Sequence, residues 1–137
     1  METLETLRGR RTVRNFKPDP IPKEVLDTIF EAATWAPSHA NAQPWEFVVV
    51  GPEARGRLLA LLQAKADELL ADPDLPEPKR RGLTLLREDF GGAPFMVAVV
   101  SRPPTEDLEK LENPLSTATA VQNLCLAAWD AGVGTVW

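Results

Sequence analysis

Only one cysteine, Cys125, and one histidine, His39, occur among the 137 residues. A lone thiol cannot close an internal disulfide, and the two residues are too few to build a zinc site. No apolar run approaches the ~18 residues that would cross a bilayer, so no membrane span is expected. The amino terminus, Met1-Glu2-Thr3-Leu4-Glu5, lacks both a basic start and an apolar signal core, which points to a cytoplasmic location. Positive charge is also short: the net charge is −5, and no basic stripe is interleaved with aromatic platforms. That argues against nucleic acid as a partner while leaving room for a local basic patch. The Gly-x-Ser-x-Gly and Gly-x-Gly-x-x-Gly patterns are absent, and Gly132 and Gly134 precede a strand-like segment where a dinucleotide fingerprint would follow one. No repeat or low-complexity tract is present.

What the chain does contain fits one domain over residues 1–137, 44% hydrophobic and 26% charged. Helical spacing predicts a short amphipathic helix over 2–8, with Leu4, Leu7 and Met1 on one side, and further helices over 22–35, 53–71, 79–89 and 114–131. Pro22 and Pro114 suit helix starts, where the missing N–H costs nothing. Continuous apolar runs predict strands over 45–50 and 95–100, the first covered on both faces, with a third beginning in 132–137. The last helix is rich in small residues, and its apolar positions exceed one stripe, so it is expected to be buried almost all round or to lie in a subunit interface. The whole reads as an α/β or α+β domain with a small central sheet and helices on both faces.

Two stretches carry chemistry. Arg10, Arg11, Thr12 and Arg14 offer guanidinium forks and a hydroxyl, equipment for holding a phosphate or another dianion; the plainer alternative is a solvated basic turn. Residues 37–45 read Pro-Ser-His-Ala-Asn-Ala-Gln-Pro-Trp. Pro37 should end the preceding helix, and Pro44 should hold the chain extended into the strand. Between them Ser38, His39, Asn41 and Gln43 supply hydroxyl, imidazole and amides suited to a flat heteroaromatic ligand with mixed donors and acceptors, or to a turn that satisfies only itself. His39 reads as a hydrogen-bonding residue rather than a catalyst, and Cys125 as core.

Taken together, 10–16, 36–45 and 120–137 occur in an order and at a spacing that resemble the FMN-dependent nitroreductase family, over essentially the whole chain. The resemblance implies an α+β fold with a mostly antiparallel sheet, an obligate homodimer, and two FMN sites at the interface. It assigns Arg10, Arg11, Thr12 and Arg14 to the FMN phosphate and ribityl chain. Ser38, His39, Asn41 and Gln43 would contact the flavin edge from the partner subunit, with Trp35 nearby. It further implies NAD(P)H as co-substrate and a small electron-poor acceptor, such as a nitroaromatic or quinone, in a ping-pong cycle that needs no catalytic side chain and no metal. Members of that family usually continue past this point, so the resemblance also implies a C-terminally incomplete or shortened member. The competing expectations are a flavin-deficient relative acting as a binding module, and a specialised flavin enzyme such as a reductive dehalogenase.

Overall fold

The structure, a computed structural model, describes residues 2–137. Its elements run α1 (Thr3–Gly9), α2 (Lys23–Thr34), β1 (Trp45–Val49), α3 (Pro52–Leu70), α4 (Glu77–Asp89), β2 (Val97–Ser101) and α5 (Glu109–Asp130). The strands pair antiparallel, Trp45 opposite Ser101 through Val49 opposite Val97, making a two-stranded sheet in an α+β fold. Among the described residues no helix is long and apolar enough to cross a membrane.

α5 is the spine. It packs chiefly against α2 and touches β1, β2 and α1. Its small residues explain the closeness: Ala120 and Ala128 are buried, as are Ala33 of α2 and Ala36 just beyond it, so the backbones approach without bulky groups between them. Ala36, Trp45 and Ala120 form the centre of the core, with Phe47 packed on it. Phe30 links α2 to the sheet, its ring centroid 5.4 Å from that of Phe47.

Several expectations need correction. The α1 face carrying Leu4 and Leu7 is exposed; Thr6 is the buried residue, and Gly9 lies against the Trp129 indole because a side chain there would crowd Nε1. Met1 lies outside the described residues. Val48 and Val49, expected to be covered, are 48% and 57% exposed, so the sheet is not covered on both faces along its length. α5 begins five residues before Pro114, at Glu109. The Glu109 carboxylate accepts from the Thr105 N–H at 2.6 Å and its hydroxyl at 2.8 Å, tying the start of the helix to the chain before it. Pro114 is exposed there, and Asn113 beside it is buried and donates to the Arg102 carbonyl. Within the single chain α5 is not covered on every side, Leu111 and Leu115 being 62% and 53% exposed, which leaves the expectation of an interface untouched. Residues 132–137 make no third strand, only a parallel bridge from Thr135 to Thr12. A cleft of about 1020 Å³ opens between this tail, α2, α5 and the sheet, walled by apolar groups including Ile29, Phe30, Val97 and Val121.

Candidate functional site

The arginine segment leaves α1 at Arg10 and runs extended across the carboxyl-terminal end of α5. Two contacts seat it. The Val13 N–H donates to the Thr135 carbonyl at 2.9 Å, and the Phe16 N–H donates to the Gly91 carbonyl at 2.9 Å. Its four polar residues then part company. Arg11 turns back on its own backbone, Nη1 donating to the carbonyls of Arg8 at 2.7 Å and Arg10 at 2.9 Å. Among the described residues, the guanidinium groups of Arg10 and Arg14 have neither an ion pair nor a hydrogen bond. In a chain with 20 carboxylate side chains, these two unpaired forks are available to an anion. Thr12 is exposed beside them.

The second stretch is a strained loop on a firm base. Ala36, Pro44 and Trp45 are buried. The Thr119 hydroxyl of α5, which donates to the Ser116 carbonyl at 2.7 Å, lies 3.4 Å from the Pro37 carbonyl, and Arg102 reaches the Ala42 carbonyl at 3.4 Å while its backbone N–H donates to the Pro44 carbonyl at 2.7 Å. Above that base the backbone turns left-handed three times, at Ala40 (φ 47°), Asn41 (φ 55°) and Gln43 (φ 45°). Gln43 therefore departs from the extended conformation expected before proline. The cause is local: its N–H is drawn to the Ser38 hydroxyl oxygen at 3.0 Å, closing the loop on itself. Gln43 Nε2 also donates to Asn41 Oδ1 at 3.4 Å. Non-glycine residues at positive φ cost roughly 1–3 kcal/mol each and persist where surroundings hold them, which is common at ligand sites.

Ser38 is thus spent on the loop's geometry. The His39 ring is exposed, and among the described residues it makes no hydrogen bond and the Asn41 amide nitrogen and Gln43 amide oxygen have no partner. Trp35, closing α2 just before the loop, is 79% exposed. Among the described residues, no group of three or more His, Cys, Asp or Glu is placed to hold a metal ion.

The two stretches do not meet. The loop lies against α5 at Thr119, whereas the arginine segment lies by Trp129 and Thr135. Ten helical residues from Thr119 to Trp129 span roughly 15 Å at the α-helical rise. None of the nine residues named from the sequence lines the large cleft; only Val13, Asn15 and Phe16 of the arginine segment do. Sequence reading missed Gly91, Thr135 and Arg102, which seat the two stretches. The glycine pair at 91–92 is the one signal of this that the sequence carries.

A model of the Nitroreductase family matches residues 7–137. Among curated proteins, YfhC of Bacillus subtilis, named as an NAD(P)H nitroreductase, is 31% identical over 97% of this chain and 66% of its own length. The nitroreductase NfnB of Mycolicibacterium smegmatis is 39% identical over 75% of this chain and 45% of its own length. A 5,6-dimethylbenzimidazole synthase of Rhodobacter capsulatus is 35% identical over 95% and 66%. The chain thus spans between about half and two thirds of the length of these relatives. Among solved structures, a nitroreductase-like protein of Bacillus cereus superposes with a TM-score of 0.75 at 26% identity, covering 100% of this chain and 69% of that one. A nitroreductase of Bacteroides fragilis with bound FMN gives 0.67 at 28% identity, covering 98% and 67%.

Proposed function

The chain belongs to the nitroreductase family, and from that footing we propose that it is an FMN-dependent NAD(P)H oxidoreductase reducing nitroaromatics, quinones or similar electron-poor acceptors. The observation that carries the reading is the pair of unpartnered guanidinium groups at Arg10 and Arg14 on a backbone seated from both sides. A flavin phosphate is a dianion of the kind such forks recognise. The exposed His39 ring, the Asn41 amide and the Gln43 amide suit the mixed donors and acceptors along a flavin edge, and the 79% exposed Trp35 offers a flat apolar surface next to them. The residues present therefore fit the cofactor. Bound flavin supplies hydride acceptance from a reduced nicotinamide and delivery of electrons to a second substrate. The chain supplies grip and orientation: Arg10, Arg14 and Thr12 at the phosphate and ribityl end, Ser38 as the lock of the loop, and His39, Asn41 and Gln43 at the ring.

The separation of the two halves along α5 supports a homodimer in which the arginine segment of one copy and the loop of another form each site. The exposed Leu111 and Leu115 lie on the same half of α5 that holds the loop, and exposed apolar groups of this kind favour association. Similarity to the dimethylbenzimidazole synthase favours a second reading, in which the same flavin grip serves a different reaction. Titration of the full chain with FMN, followed by quenching of flavin fluorescence, tests the first step. Saturable quenching supports a flavin protein, and protein that stays colourless in excess FMN leaves a non-catalytic binding module. A screen of nitroaromatic and quinone acceptors with NADH and NADPH then separates the two enzymatic readings.

A further inference from the structure

The arginine segment is steadied by a turn that belongs to neither half of the proposed flavin site. This turn, Phe90–Gly92, sits at the carboxyl end of α4. The Phe16 N–H donates to the Gly91 carbonyl at 2.9 Å. Gly91 has φ 71°, and a Cβ built on it would collide with the Arg14 carbonyl oxygen. That oxygen is main chain, so no flexible side chain can yield. Glycine alone suits both the left-handed backbone and the close approach.

The turn is itself fixed by one side chain from α3. Arg55 Nη2 pairs with Asp89 Oδ1 at 2.7 Å, and Nη1 donates to the Ala93 carbonyl at 2.7 Å. The guanidinium carbon lies 5.3 Å from the Phe90 ring centroid. A single fork therefore brackets both ends of the Gly91–Gly92 turn, and at 20% side-chain exposure Arg55 is better shielded than a surface ion pair. On the opposite side of the segment Gly134 presses on Val13, where a Cβ would come within 2.7 Å of Cγ2.

We propose that Gly91 and Arg55 are positioning residues for anion recognition: Arg55 fixes the turn, the turn fixes the main chain of Arg14 to Phe16, and Arg14 is thereby aimed at the phosphate. The proposal rests on the flavin reading above and adds which part of flavin affinity the turn controls. The phosphate contribution depends on it and the ring contribution does not.

Riboflavin, which lacks the phosphate, separates the two. Affinities for FMN and riboflavin are measured by fluorescence quenching on the full chain, on Gly91→Ala and Arg55→Met, and on Gly56→Ala, where an added Cβ meets nothing within 4 Å. Both positioning variants are expected to lose about ten- to hundred-fold in FMN affinity while riboflavin affinity holds within about twofold, the scale of a hydrogen bond to a charged group. Gly56→Ala should match the parent. Equal loss for both flavins marks a merely structural role and overturns the proposal, as does unchanged FMN affinity. Should Gly91→Ala fail to fold, Arg55→Met carries the comparison. Hydrogen exchange on the unsubstituted chain gives a further reading: the Phe16 amide should be protected before flavin is added, and protection arising only with flavin overturns the proposal. If the parent binds neither flavin, the underlying reading falls; if it prefers FMN and the variants keep that preference, only the positioning roles fall.

Discussion

The Ser38 hydroxyl oxygen accepts a hydrogen bond from the backbone N–H of Gln43 at 3.0 Å, and this bond holds a left-handed residue directly in front of Pro44. Gln43 would otherwise relax toward the extended conformation that a following proline favours. Ser38→Ala should therefore cost about 0.5–1.5 kcal/mol of stability in thermal or denaturant unfolding. It should also weaken FMN binding, because His39, Asn41 and Gln43 lose their common frame. Ala40→Gly tests the strain separately: at φ 47° glycine is the better residue, and a gain of about 0.4–1 kcal/mol is expected.

Arg10 and Arg14 should behave unlike Arg11. The first two have no partner among the described residues, whereas Arg11 already donates to the Arg8 and Arg10 carbonyls. Arg10→Ala and Arg14→Ala are each expected to weaken FMN binding by about ten- to hundred-fold, with affinity falling further as salt is raised in the parent. Arg11→Ala should have the smallest effect of the three. Isothermal titration across the set checks the order, and equal losses at all three positions would count against the assignment.

The start of α5 carries a pH signature. The Thr105 N–H, and after it the Thr105 hydroxyl, hold the Glu109 carboxyl below the ordinary glutamate range. A carboxyl depressed in the folded chain contributes stability above its unfolded pKa and loses it as pH falls through the folded value, so this tie loosens only in acid. Thr105→Val removes the hydroxyl and should raise the Glu109 pKa while leaving it depressed, because the backbone bond remains. A side-chain carboxyl titration followed by NMR reads the shift, and an unmoved value would show that the hydroxyl contributes nothing.

Much of this architecture was legible from spacing alone. The 3.6-residue rhythm of Val25, Leu26, Ile29, Phe30 and Ala33 locates α2 to within a residue at each end, and the run from Trp45 locates β1. Features set by contacts between distant residues were not. Pro114 looks like a helix start, yet the carboxylate of Glu109 and the burial of Asn113 carry the helix back past it. Leu4 and Leu7 look like a core face, but Thr6 and Gly9 meet α5 instead. The arginines and the polar loop announce themselves as chemistry through composition. That Arg11 is occupied by the nearby Arg8 and Arg10 carbonyls while Arg14 has no partner among the described residues, and that Gly91 must be glycine because the Arg14 carbonyl lies against it, depends on how the backbone folds. Periodicity has no access to such pairs.

The central claim is a flavin held between two copies of this chain, and sedimentation velocity followed at a flavin absorption band tests it most directly. With FMN in slight excess, the account predicts that flavin colour sediments with a particle of twice 15.1 kDa, at one flavin per chain. Colour that stays with the solvent, or that travels with a 15.1 kDa particle, would contradict it.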